Sequence, residues 1–183
     1  MTLPGVQDVE LRTFHLSFDE QGELKRAELR WRRLDAAGEV LVGFTAQEVL
    51  AGPELADRRY VAVARRVVQA AVQAARYYVE RSEQHLWAGM GISRAAVREV
   101  LWQQYDGDDQ GLWIRYERRD GQGQSLGLGE LLIEEKGGKL SVNNWKRTWD
   151  APEDVAQFRG HAQALMAAGR KLARLMDGME EGT

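Results

Sequence analysis

The chain has 183 residues, no cysteine, 44% hydrophobic and 29% charged residues, and a formal net charge of −3. Lack of cysteine excludes a disulfide framework, thiolate metal sites and cysteine nucleophiles, and the hydrophobic share excludes global disorder. Net acidity argues against coating nucleic acid through bulk charge, so any electrostatic attraction to it must come from local clustering.

No apolar run approaches the roughly 20 residues that cross a bilayer. Met1 to Glu10 has no basic stretch followed by an apolar one, so no membrane association and a cytoplasmic location are expected. A chain of this size buries roughly 70% of its unfolded surface and needs no staples.

Phe14, Leu16 and Phe18 alternate with His15 and Ser17, which predicts a strand over 9–18. Asp19 to Gly22 is a turn. Residues 23–34 alternate again, with Ala27, Leu29 and Trp31 on one face and Arg26, Glu28, Arg30 and Arg32 on the other. Asp35 to Gly38 turns the chain, and Glu39 to Phe44 reads as a third strand of an antiparallel meander. Thr45-Ala46-Gln47-Glu48 has capping-box spacing and predicts a short helical turn, interrupted by Gly52-Pro53. Residues 54–82 carry Tyr60, Ala64, Val67, Val68, Ala71, Val72, Ala75, Tyr78 and Val79 at helical spacing, with arginine and glutamine largely off that stripe.

Residues 83–92 read as a linker. Residues 94–105 fit either a helix or a strand, and the first half favours a strand by analogy. Leu112, Ile114 and Tyr116 alternate with Trp113, Arg115 and Glu117; strands over 126–135 and 139–146 follow, separated by Lys136-Gly137-Gly138. Asp150 is placed to cap a helix that opens with Pro152, Glu153 and Asp154 and closes at Gly178. The expected class is therefore α+β: two antiparallel meander-then-helix units whose sheets are backed by two long helices. Residues 1–82 form the first half, 83–93 the linker and 94–183 the second half, all within one compact domain. Leu29 to Gly38 and Ile114 to Gly123 align at a constant offset, which suggests internal duplication.

Gly123-Gln124-Ser125-Leu126-Gly127 matches the nucleophile elbow of α/β-hydrolases, and the order Ser125, Asp150, His161 imitates a triad. The elbow requires a helix directly after the serine; a strand is expected here, so no catalytic residue is assigned and no enzyme is expected. Gly121, Gly123, Gly127 and Gly129 lack the following helix that a phosphate cradle uses. Asp106, Asp108, Gly111 and Glu117 have calcium-loop spacing, but Gln110 replaces a ligand and no exiting helix can follow, so a solvated acidic turn is the better reading. His15, His85 and His161 are scattered. No metal or cofactor is assigned.

What remains is basic residues interleaved with aromatics: Trp31 with Arg30, Arg32 and Arg33; Trp113 and Tyr116 with Arg115, Arg118 and Arg119; Trp145 and Trp149 with Lys146 and Arg147. Cations that follow phosphates and flat rings that stack on bases hold single-stranded nucleic acid. Trp31 and Tyr116 fall in the inward phase of their strands, whereas Trp113 falls in the outward phase. The candidate binding set is Arg30, Arg32, Arg33, Trp113, Arg115, Arg118, Trp145, Lys146 and Arg147.

In element order the chain resembles the Whirly and PUR-repeat families of single-stranded nucleic-acid-binding proteins, over residues 9–82 and 95–178. That resemblance implies binding by Arg30, Arg32, Trp113, Arg115 and Lys146 on strand faces. The expected partner is single-stranded DNA, ahead of RNA. The rival expectation is a non-enzymatic adaptor or chaperone-like module, with self-association into a homodimer through the long helices.

Overall fold

The computed structural model describes residues 5–41 and 46–179. Strands β1 (Asp8–Phe18), β2 (Leu24–Leu34) and β3 (Ala46–Ala51) lead through a 3-10 turn, Gly52–Ala56, into helix α1 (Val61–Met90). Strands β4 (Arg94–Gln104), β5 (Gln110–Arg119), β6 (Ser125–Lys136), β7 (Lys139–Val142) and β8 (Arg147–Thr148) lead into helix α2 (Pro152–Met176). The strands form one antiparallel sheet in the order β3-β2-β1-β4-β5-β6-β7-β8. The two meanders are thus joined edge to edge, through Thr13–Ser17 of β1 and Glu99–Gln103 of β4.

Both helices cover the same face. Phe14, Leu16, Leu29, Trp31, Trp102 and Ile114 point to it and are buried against Val67, Ala71 and Tyr78 of α1 and Phe158, Leu165 and Leu172 of α2. Each helix packs chiefly on strands of the opposite half: α1 across β4, α2 across β1 and β2. Two ion pairs fix this exchange. Arg33 of β2 grips Asp177 just past α2 at 2.7 Å, and Arg118 of β5 grips Glu83 of α1 at 2.6 Å.

The halves correspond in detail. The β1–β2 register shifts between Leu11 and Thr13, and the β4–β5 register shifts between Val97 and Glu99. These matched bulges place Arg12 and Arg98 at equivalent points. In the turn after β2, Asp35 Oδ1 accepts from the N–H groups of Ala37 (2.8 Å) and Glu39 (2.9 Å). In the turn after β5, Asp120 Oδ1 accepts from Gln122 and Gln124, both at 2.9 Å.

Several local expectations are corrected. The third strand lies at Ala46–Ala51, not at Glu39–Phe44, where only Val40 bridges to Leu34; residues 42–44 fall outside the described set. The expected helical turn at 45–48 is strand instead; Thr45 also lies outside the described residues. Pairing with Arg26–Trp31 gives the segment's peptide groups their partners and buries Ala46 and Leu50, which outweighs capping-box spacing.

Helix α1 starts later than expected because Pro53 sits in the 3-10 turn, and it continues through the expected linker to Met90. Burial of Ser82 and Glu83 and the packing of Trp87 hold that last part helical. Gly91, at φ 70°, ends it in the left-handed conformation that glycine adopts without cost. Residues 94–104 are strand, as the analogy between halves favours. The return strand at 139–146 stops at Val142, because Asn143, Asn144 and Trp145 take φ of 53°, 57° and 70° and fold the chain back. Ala151, not Asp150, is the N-cap of α2, without a side-chain bond.

Candidate nucleic-acid interface

Among the described residues, no helix covers the face of the sheet opposite α1 and α2. Across its centre the register sets Glu28, His15, Leu101, Trp113 and Leu132 side by side on β2, β1, β4, β5 and β6. Leu101, Trp113 and Leu132 are half-buried and form an apolar row on a face whose other apolar side chains include Val49 and Leu128. Trp113 meets the His15 ring edge-on, with centroids 6.3 Å apart. One row along, Glu99 accepts from His15 Nε2 at 3.0 Å and from Arg115 Nη1 at 2.9 Å.

On the other side of Trp113 lies Gly111, and the Tyr105 ring occupies the space a Cβ would take there. The Tyr105 hydroxyl is pushed up to about 12 by burial and by its hydrogen bond to Glu134. Lys136 Nζ stands 5.5 Å from the Tyr105 ring centroid. The open face therefore holds two aromatic rings, Trp113 in the row and Tyr105 over Gly111, with Arg115 two residues along the strand from the first and Lys136 beside the second. Next to it a cavity of about 460 Å³ is lined by Ser17, Lys25, Arg98, Glu99, Arg115 and Ser125, among others.

The candidate residues from the sequence divide between surfaces. Arg30, Arg32, Trp113 and Arg115 lie on the open face. Arg30 sits opposite Thr13 and is exposed; Arg115 occupies the equivalent place opposite Glu99, its side chain 41% exposed. Arg32 is 3.8 Å from Glu10. Arg33 and Arg118 point to the helix side, where their carboxylate partners raise the pKa of each guanidinium against the opposing effect of burial. Arg147 donates to Ser82 of α1 and lies 5.9 Å from the Trp149 ring centroid. Trp145 and Lys146 project from the β7–β8 turn, with Trp145 49% exposed.

Glu83 is nearly buried beneath β5. Burial raises its pKa, but hydrogen bonds from Arg118 and Tyr116 outweigh this and hold it below its ordinary 4.5. It accepts from Arg118 Nε at 2.9 Å and from the Tyr116 hydroxyl. This cluster fixes β5 from behind, and so fixes the strand that presents Trp113 and Arg115 in front.

Ser125 opens β6, with strand rather than helix after it, and accepts from Gly127 N at 3.3 Å. His161 Nδ1 is 2.9 Å from the Tyr78 hydroxyl, in the interface between the helices. The triad-like residues are therefore not brought together. Tyr105 to Asp109 forms the β4–β5 turn, with strands on both sides, so the entering helix of a calcium loop is missing as well as the exiting one. Among the described residues no group of three metal-ligating side chains converges, and no helix is long and apolar enough to cross a membrane.

Tyr105, Leu101, Leu132 and the His15–Glu99 pair were not singled out as binding residues in the sequence. The available signal was phase: in β4, Leu101 is out of step with its buried neighbours Val100 and Trp102. Searches against family models, curated proteins and solved structures give no match to this chain.

Proposed function

We propose that the protein binds single-stranded nucleic acid, DNA ahead of RNA, on the uncovered face of its sheet. The observation that carries this reading is the row Leu101–Trp113–Leu132, which keeps a half-exposed aromatic ring amid arginines on a face no helix covers. Bases would stack on Trp113, and Arg30 and Arg115 would take phosphates. Arg30 makes no ion pair or hydrogen bond among the described residues, so its charge is free for a ligand. The matched bulges and turns of the two halves support descent from a duplicated meander–helix unit, and the paired meanders are the feature in which the chain resembles Whirly and PUR-repeat proteins. A cytoplasmic location goes with this reading.

One observation favours the rival, a protein-docking module. Arg26, Arg32, Arg98 and Arg115 on the open face already pair with Glu28, Glu10, Glu117 and Glu99. A face of matched charges around an apolar row suits a protein partner, including a second copy of the chain. Fluorescence anisotropy with a labelled 20-nucleotide thymidine strand separates the two. Binding at micromolar protein in low salt, weakening with salt and falling roughly 5- to 100-fold in Trp113→Ala, is expected from stacking and phosphate pairing. No binding at tens of micromolar would refute the nucleic-acid reading and leave the docking module.

A further inference from the structure

The arginines of this chain are mostly matched. Most of those of the sheet and α2 engage Asp or Glu, for example Arg33 with Asp177, Arg159 with Glu135 and Arg174 with Asp8; Arg30, Arg94 and Arg147 have no such partner among the described residues. The outer face of α1 is different. From Arg58 to Val79 the sequence has five arginines and no acidic residue, in a chain of net charge −3, so the remainder of the chain carries −8. Arg59 pairs with Asp57 just before the helix. Arg58, Arg65, Arg66 and Arg76 are exposed and make no ion pair or hydrogen bond among the described residues.

The helix geometry aligns them. At 3.6 residues per turn, Arg65 and Arg76 lie about 20° apart around the axis and about 16 Å apart along it. Gln69 and Gln73 lie between them on the same exposed face, and Arg66 flanks it. Arg65 and Arg66 are neighbouring like charges and repel, and the run of unpaired arginines ends at Glu80, one turn past Arg76. The apolar stripe of α1, with Val63, Val67, Ala71 and Tyr78, is spent in the core. Beside the arginines only Val61, Val68 and Val72 remain half-buried, and no large apolar side chain among them is exposed to enter a lipid bilayer, so that stretch presents mainly charge and amide groups.

We propose that the outer face of α1 is a second, sequence-independent surface for a phosphodiester backbone, on the side of the molecule opposite the sheet face. Guanidinium groups pair bidentately with phosphate oxygens, and the glutamine amides between them donate to the same oxygens. The assignment of the polyanion as nucleic acid rests on the sheet-face reading; the surface itself does not. With one strand on the sheet and a second segment on α1, the protein would bridge two nucleic-acid segments.

A labelled 24-base-pair DNA duplex removes stacking on Trp113, because its bases are paired, and the α1 variants separate α1 from the sheet-face arginines. Wild-type protein is expected to bind it at low salt. In R65Q/R66Q/R76Q the slope of log affinity against log salt should fall by about 3, at about 0.9 for each phosphate that an arginine no longer neutralises. R65E/R66E/R76E should abolish binding, with an unchanged circular dichroism spectrum, and Trp113→Ala should leave duplex binding intact. Duplex binding that is absent in wild type, or unchanged in both triple variants, overturns the inference. So does co-sedimentation of wild type with phosphatidylserine vesicles, abolished in the triple variants, without duplex binding. The sheet-face reading fails separately, when Trp113→Ala made in the R65E/R66E/R76E background leaves binding of the thymidine strand unchanged.

Discussion

Gly129 of β6 lies opposite Tyr116 of β5. A Cβ at Gly129 would stand 2.5 Å from Tyr116 Cζ and 2.6 Å from its Cε2 and hydroxyl oxygen. Carbon atoms that touch prefer about 3.5–4.0 Å, so in Gly129→Ala the ring must move by about 1 Å. It has no room to do so freely, because Tyr116 is 2% exposed and its hydroxyl donates to Glu83. Overpacking of this kind costs about 1–3 kcal/mol, and losing a hydrogen bond to a charged group about 1.5–3 kcal/mol. Against these, replacing glycine within a strand gains about 0.5–1 kcal/mol. Because Gly129 is not in the left-handed region, no backbone strain adds to the cost. The net expectation is a loss of about 2–5 kcal/mol, a large part of the 5–15 kcal/mol typical of a domain. Urea denaturation would show it as a lower midpoint at unchanged slope. The control is Tyr116→Leu, in which the same Gly129→Ala change should be neutral or slightly stabilising. Equal losses in both backgrounds would refute the claim that the glycine exists to seat the tyrosine.

Glu83 should make stability acid-sensitive. Its folded pKa is depressed, so the unfolded chain takes the proton first; the contribution is complete above about pH 5 and is lost as pH falls through the folded value. The gap in melting temperature between wild type and Glu83→Gln should therefore shrink steadily below pH 4.5, and a gap as wide at pH 3.5 as at pH 7 contradicts this. Because each helix covers strands of the other half, peptides 1–92 and 93–183 should be unfolded alone and regain helical circular dichroism on equimolar mixing. A cooperative transition in either peptide by itself would count against the exchange.

Where a residue pattern reports burial directly, it was legible. Period-two alternation located β1, β2 and β5, the flanking glycine turns located β6, and the apolar stripe located most of α1 and α2, because each helix buries one face. The errors lie where long-range pairing decides. Ala46 to Ala51 has too few residues to show a period, and the free edge of β2 made it a strand. The end of α1 was hidden because Glu83 and Trp87 look like linker residues until Arg118 and Tyr116 arrive from a strand more than thirty positions away. The same limit applies to the candidate site. Alternation separates Arg30 and Arg32 from Trp31, but it does not report that Arg33 and Arg118 each have a carboxylate waiting on the helix side. Nor does it indicate that Tyr105, past the end of its strand, folds back over Gly111.

The correspondence between halves is most informative where it fails. Arg30 and Arg115 occupy matched, outward positions, as do Arg12 and Arg98, and Trp31 and Tyr116 match inward. At the centre of the open face the match breaks. Trp113 has Glu28 as its counterpart, and on the central strands Leu101 faces His15 across the join. The scaffold needs neither difference, since both positions point away from the helices and contribute nothing to the buried core. Val49, opposite Glu28, matches Leu132, opposite Trp113, but the ring and Leu101 have no apolar counterpart in the first half, which leaves a half-exposed tryptophan where the first half has the charged Glu28. The asymmetry therefore points to a ligand with a flat or apolar part that is read from one side of the molecule. On this argument Trp113→Glu, which makes the second half like the first, should leave stability within about 1 kcal/mol of wild type while removing the affinity of the sheet face for the thymidine strand. Urea midpoints and anisotropy on the same samples measure both, and a collapse of stability would move Trp113 from the interface to the scaffold.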